Sequence, residues 1–315
     1  MTNDLNSQRK CLNLCEKNNF YTTFCMIYTI QTDRLRVEIS SIGAELQSIV
    51  NADGTELLWQ GNPQYWNRRS PLLFPFPGKS WNDTITIDGN SYPMPKHGFA
   101  ADMEFKVTCQ QETMLELTLT DTPETLKAYP YHFELKVTYT IVGCALNVGW
   151  RVKNPNNKFM YFMIGAHPAF NLPDFNGNDK IHGYLYTNDA PEFISNVVLP
   201  DGYCHPETKT VQLHDGLLPL TNHTFACDTI LDQTGRFQKI TLINKHRNPV
   251  LRVCFNAPVI AMWAPNDGNS PFVCIEPWNG ICDSYAKPVE LKDRSLVNSL
   301  SPQSEWSNTY TITAL

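Results

Sequence analysis

An all-β chain, folded as one large antiparallel β-sandwich, is what this sequence predicts, and three observations carry the prediction. Apolar and polar residues alternate with period two through much of its length, short Gly-containing turns separate the alternating runs, and no regular strand–helix alternation of the kind that builds a parallel sheet is present. Residues 1–25 come first and show neither strand alternation nor a sustained helical stripe, while Met26 stands just before the first strand-like run. They read as an N-terminal extension, poorly ordered, either a natural arm or the product of an upstream start codon. Asp53-Gly54 and Asp88-Gly89 then mark tight turns between strand-like runs. Residues 115–119 (LELTL) alternate, as do 135–141 and 146–152, and the last two flank Val142-Gly143-Cys144 as the arms of a hairpin. Further strands are predicted at 251–255, 259–263, 272–276 and 309–313. No repeat, low-complexity tract or linker divides residues 26–315, which are expected to form one domain.

Composition bounds the function. With 42% hydrophobic and 18% charged residues the chain can bury a large core, and its 22 prolines and 16 glycines fit many turns. A net charge of -6 removes the basic surplus that phosphate-backbone binding uses, which excludes nucleic acid as a partner. No run of about 18 apolar residues and no signal-peptide pattern occurs, so a cytoplasmic protein without a membrane partner is expected. The ten cysteines are scattered without paired short spacings, apart from Cys11 and Cys15, and are expected as reduced thiols. Asn82-Asp83-Thr84 and Asn222-His223-Thr224 fit the glycosylation pattern but matter only in a secreted protein.

Three ionisable residues stand out by their surroundings. His97 lies in YPMPKHGFA, where Pro93 and Pro95 stiffen the approach and Gly98 frees the backbone beside the imidazole. His167 is the one ionisable group in MIGAHPAFNL, with Pro168 biasing it toward extended geometry. Glu276, in PFVCIEPWNG, closes a predicted strand, and Trp278 offers a flat apolar face on which a sugar ring can stack. Each alone fits a structural role: a turn histidine, a core histidine with a partner, a carboxylate in an ion pair. Burial also tunes such groups for proton transfer, and the recurrence of all three beside Gly or Pro at strand edges favours a site. Other chemistries fit worse. Gly78-Lys79-Ser80 has Leu73 where a phosphate-binding loop needs its first glycine, no Gly-x-Ser-x-Gly elbow exists, and His97, His167 and Glu276 lack the spacing of a helical metal motif.

From about Ile27 onward the sequence resembles the aldose 1-epimerase (galactose mutarotase) superfamily, in particular its branch typified by the X protein of lactose operons. The resemblance rests on FPFPGK (74–79), YPMPKHGFA (92–100), GAHPAFNL (165–172), the segment ending in Asp228 (225–228) and CIEPWNG (274–280), in that order. It implies a β-supersandwich with an open sugar cleft and a reaction without metal or cofactor. It also implies Glu276 as general base, His167 as general acid and His97 as a ligand of the sugar oxygens, with Asp228 matching an acidic residue of relatives; Trp278, Lys79 and Arg69 join them as binding candidates from this chain's own residues. Ring opening of a cyclic hemiacetal removes the C1 hydroxyl proton and protonates the ring oxygen, which suits a carboxylate and an imidazole of ordinary pKa about 4.3 and about 6.5. The chain departs from the family at Lys79 and Ala101, where arginines are common; lysine keeps the charge without the bidentate fork. Arg68 and Arg69 could compensate from a neighbouring loop. A free aldose is the substrate this pattern favours. A hexose-6-phosphate epimerase and a non-catalytic sugar-binding or sensor domain are the alternatives, and monomer and homodimer both fit.

Overall fold

The computed structural model describes residues 9–11, 25–187 and 191–315. It is built from antiparallel sheets, of which two are large. One has nine strands, in the order Leu217–Leu220, Gly183–Tyr186, Lys239–Asn244, Pro249–Phe255, Glu305–Ala314, Ala145–Lys153, Glu134–Val142, Met114–Thr120 and Lys106–Gln110. The other has eight and centres on Val259–Trp263 and Phe272–Asn279, with Ile164–Ala166 and Ala169–Asn171 pairing to the latter. Inward residues of the first sheet, such as Leu117, Val137, Val148 and Ile312, share one apolar core with Ile164, Ile260, Met262, Val273 and Ile275 of the second. Two sheets closing on one core form the predicted sandwich. Among the described residues the single α-helix is the turn Thr125–Ala128, and no helix is long and apolar enough to cross a membrane.

Local chemistry explains the elements. In residues 134–141 and Ala145–Lys153 buried and half-buried positions alternate without a break, and the two strands join through Gly143-Cys144, with the exposed Val142 facing Ala145. Asp88 and Gly89 take φ of 51° and 77°, the left-handed pair that a two-residue hairpin between Ile87 and Asn90 requires. Two expectations change. The strand predicted to stop at Glu276 runs on to Asn279, because Pro277 still accepts and its missing donor leaves the rest of the ladder intact. Within the presumed extension, Arg9–Cys11 pairs with Cys25–Ile27, a backbone-driven edge addition that side-chain patterning does not reveal; residues 1–8 and 12–24, Cys15 included, lie outside the described residues.

The site depends on the other face of the eight-stranded sheet. Along Phe272–Asn279 every residue is buried, yet the faces differ: Val273 and Ile275 enter the sandwich core, whereas Phe272, Cys274 and Trp278 belong to smaller clusters outside it. Period two therefore puts Glu276 on the outer face.

Candidate active site

Strand register brings His167 and Glu276 together. Along Phe272–Asn279, Gly165 faces Trp278, Ala169 faces Cys274 and Asn171 faces Phe272 in one unbroken register, which sets His167 opposite Glu276. Pro168 interrupts the pairing but its carbonyl still accepts from the Ile275 N–H at 3.2 Å. On the opposite flank Ala261 faces Glu276. Cross-strand neighbours point to the same face, and alanine and glycine there leave the space above the carboxylate open. The result is a cavity of about 420 Å³ whose lining includes His97, His167, Asp228, Glu276 and Trp278.

At its floor the His167 Nε2 lies 3.3 Å from the Glu276 Oε2, with side chains 9% and 1% exposed. The His167 ring is held by Trp66, stacked at 4.8 Å between centroids with planes 29° apart, and by the edge-on ring of His97 at 5.4 Å. His97 sits in a left-handed turn with φ of 70°, followed by Gly98 at 75°. Its backbone N–H donates to the Gly78 carbonyl at 2.7 Å, and the Gly78 N–H donates to its Nδ1 at 3.0 Å. A backbone donor meets only a bare Nδ1, so the neutral ring carries its proton on Nε2. Both glycines are required: a Cβ on Gly98 would fall 2.2 Å from the Phe74 carbonyl oxygen, and one on Gly78 would fall 2.3 Å from the Cys282 Cβ.

Burial dominates the electrostatics. It lowers His167 to about 3, with the nearby Lys96 cation acting the same way. His97 is pushed well down by burial, then by His167 and Lys96. Glu276 is pushed well up by burial and by Asp228, against Lys96 and the indole N–H of Trp278, which faces the carboxyl without completing a hydrogen bond. Burial thus drives both members of the pair toward their neutral forms. Their facing atoms stand 3.3 Å apart, and the Glu276 Oε2 completes no hydrogen bond there among the described residues.

The remaining sequence-predicted residues divide. Asp228 reaches the cavity from a left-handed turn, φ 72°, and burial raises its carboxyl. Lys79 is half-buried with its ammonium 4.9 Å over the Tyr203 ring, behind the cavity wall. Arg69 does not come to the cavity: its guanidinium is bonded to the Gln47 side chain and to the Gln47 and Gln60 carbonyls. Arg68 does. It meets the Ala101 carbonyl at 3.4 Å and pairs with Asp102 and, at 3.8 Å, with Glu45, so its guanidinium stands beside the small Ala101. Sequence reasoning also passed over Trp66, Trp263 and Lys96 as cavity residues. Lys96 was within reach, adjacent to His97 in the quoted motif, and Trp263 follows from parity, two residues beyond Ala261 on one strand and opposite Cys274. Trp66 arrives from a loop and left no local signal.

His167, Cys274 and Glu276 each bring one possible ligand atom within 4.8 Å of the others. His97, grouped with His167 and Glu276 by the sequence, is not in that trio; its Nδ1 accepts from Gly78.

With this geometry in place, comparison with known proteins places the chain. The aldose 1-epimerase family model matches residues 26–313, and the chain belongs to that family. Within it the chain falls in the LacX-like branch: it is 31% identical to the chromosomal protein LacX of Lactococcus lactis subsp. lactis, over 92% of this chain and 100% of that protein. It is similar to a galactose mutarotase related enzyme from Lactobacillus acidophilus, with TM-score 0.84, 31% identity, and coverage of 92% of this chain and 97% of that one. A galactose mutarotase-like protein from Lactobacillus casei superposes with TM-score 0.84 at 28% identity, over 92% of this chain and 100% of the other.

Proposed function

We propose that residues 26–315 form one catalytic domain that interconverts the α and β anomers of a free hexose, in the cytoplasm and without a cofactor. The observation that carries this reading is the buried His167–Glu276 pair, 3.3 Å apart on the cavity floor, two groups that burial shifts in opposite directions. Ring opening needs that pairing. Glu276 takes the proton from the C1 hydroxyl, His167 gives one to the ring oxygen, and the C1–O5 bond breaks to leave an open-chain aldehyde. Rotation about C1–C2 and the reverse transfers close the ring on the other face and return both groups to their starting state. Atoms and charge balance with no other reactant.

These roles start from the carboxylate–imidazolium form, whereas burial favours the neutral form. Sugar hydroxyls donating to Glu276 stabilise its anion, and Lys96 and the Trp278 N–H act in the same direction. The proton then has only the 3.3 Å to His167 to cross. His97 presents its Nε2–H as a donor to a sugar oxygen, Asp228 accepts from hydroxyls, and Trp278 and Trp66 supply apolar walls.

A free sugar is favoured over a hexose 6-phosphate because the arginine at the cavity is already neutralised by Asp102 and Glu45, and Lys79 is turned to Tyr203. Saturation-transfer NMR on glucose, galactose and glucose 6-phosphate tests the proposal. Accelerated exchange of a free hexose supports it. Preference for the phosphate moves the substrate to the phosphorylated sugar, and saturable binding without acceleration makes the protein a sugar sensor.

A further inference from the structure

The trio behind the cavity floor is a second possible use of the same residues. Cys274 and Glu276 are two apart on one strand and share its outer face, and His167 stands across from Glu276. Ala169, across from Cys274, adds only a methyl group, so nothing bulky separates the thiol from the imidazole. All three are buried, Cys274 at 0%, Glu276 at 1% and His167 at 7% exposure. Among the described residues the Glu276 Oε2 and the His167 Nδ1 have no hydrogen-bond partner. Three ligand atoms no more than 4.8 Å apart leave a point at most 4.8/√3, about 2.8 Å, from each. Zinc bonds run at about 2.3 Å to sulfur and about 2.0–2.2 Å to nitrogen and oxygen, so side-chain rotations drawing each donor in by somewhat over half an ångström complete the site. Nitrogen, sulfur and oxygen together are the mixed set that zinc accepts and that magnesium or calcium does not.

The geometry points to a site for a thiophilic divalent cation of the zinc class, bound by His167, Cys274 and Glu276 and mutually exclusive with the sugar. Three protein ligands leave a fourth position open, and two of the three, His167 and Glu276, line the cavity. A cation there takes the lone pair and the carboxylate through which the proton must pass, so it inhibits anomer exchange. The inhibition rests on the catalytic reading above; the binding does not.

The experiment titrates full-length, metal-free protein with CoCl2, following the near-ultraviolet charge-transfer band of a cobalt–thiolate bond, and with ZnCl2 in the NMR exchange assay. One equivalent of Co²⁺ should give the band, Zn²⁺ should displace it and suppress exchange, and a chelator should restore the rate. Cys274→Ser should abolish the band and weaken zinc inhibition about tenfold or more, each protein being compared with its own zinc-free rate. Should that variant fail to fold, His167→Asn keeps the thiol and must lose stoichiometric Co²⁺ binding. Absence of the band, or its survival in Cys274→Ser, overturns the inference. Zinc-indifferent exchange without a cobalt band removes this site and leaves the mutarotase standing. Cobalt bound through Cys274 in a protein that never accelerates exchange does the reverse.

Discussion

Replacing Glu276 with glutamine should raise stability while removing activity. The side chain is 1% exposed and its Oε2 lacks a hydrogen-bond partner, so the folded chain holds a carboxyl that burial drives toward its neutral form. An unsatisfied buried polar group costs about 1–3 kcal/mol. In Glu276→Gln the amide takes the same volume and can donate from the Oε2 position to the neutral His167 Nε2, 3.3 Å away. A gain of about 1–2 kcal/mol follows, which for a chain this size is a rise in Tm of about 1.5–3 °C. Activity moves the other way. Losing a positioned base slows proton transfer by about 10²–10⁴, or about 3–5 kcal/mol in the barrier. Saturation-transfer NMR on the preferred hexose and thermal unfolding by circular dichroism read the two effects on one sample. Unaltered exchange in a folded variant refutes the proton-transfer role. A Tm lowered by several degrees refutes the neutral carboxyl and makes Glu276 a structural ion-pair partner.

Three further outcomes are expected. Gly165→Ala places a Cβ 2.6 Å from the Trp278 Cδ1, and the overpacking should lower stability by about 1–3 kcal/mol in chemical denaturation and slow exchange as Trp278 shifts. In the Glu276→Gln background, stability should fall on acidification. The folded His167 pKa of about 3 lies below the unfolded value of about 6.5, so the unfolded chain takes up the proton first and about 2 kcal/mol is lost between pH 7 and pH 5, His97 adding in the same direction. Urea titrations at the two pH values check this, and a stability independent of pH would show that His167 titrates normally. Arg68→Ala should raise KM several-fold while Arg69→Ala leaves it unchanged, because only the former guanidinium stands at the cavity; equal effects would show that the loop rearranges on binding.

The sandwich was legible wherever one face of a strand meets the core and the other meets solvent. In 115–119, 135–141 and 146–152 that contrast writes itself into the sequence as alternation, and the hairpins at 88–89 and 143–144 follow from residues that tolerate left-handed backbone. Arg68 and Arg69 show where such reading stops. Both were available to replace a missing cavity arginine, but consecutive residues leave the chain on different sides, and only the tertiary path of the loop decides which reaches Ala101. Trp66 was invisible for a related reason: its stacking on His167 joins segments about a hundred residues apart, and nothing local to either requires it.

Phe272–Asn279 gave the opposite kind of signal. Because all eight residues are buried, alternation vanishes, and the run reads as a short apolar strand ended by a charge. The charge does not end it. A carboxyl in a strand buried on both faces has to look toward something other than the apolar core, since burial among hydrocarbon alone would be far too costly. Glu276 therefore marks, by parity, the face of its strand on which the cleft lies, and the same parity carries Cys274 and Trp278 with it. The antiparallel register then fixes the partner opposite Glu276 as the residue between Gly165 and Ala169 on the same face, which is His167. The His167–Glu276 pair is in this sense a consequence of register. A one-residue slip would put Pro168 or Ala166 opposite the carboxyl and swing His167 to the wrong face, and the proline–glycine punctuation on either side of the histidine blocks that slip.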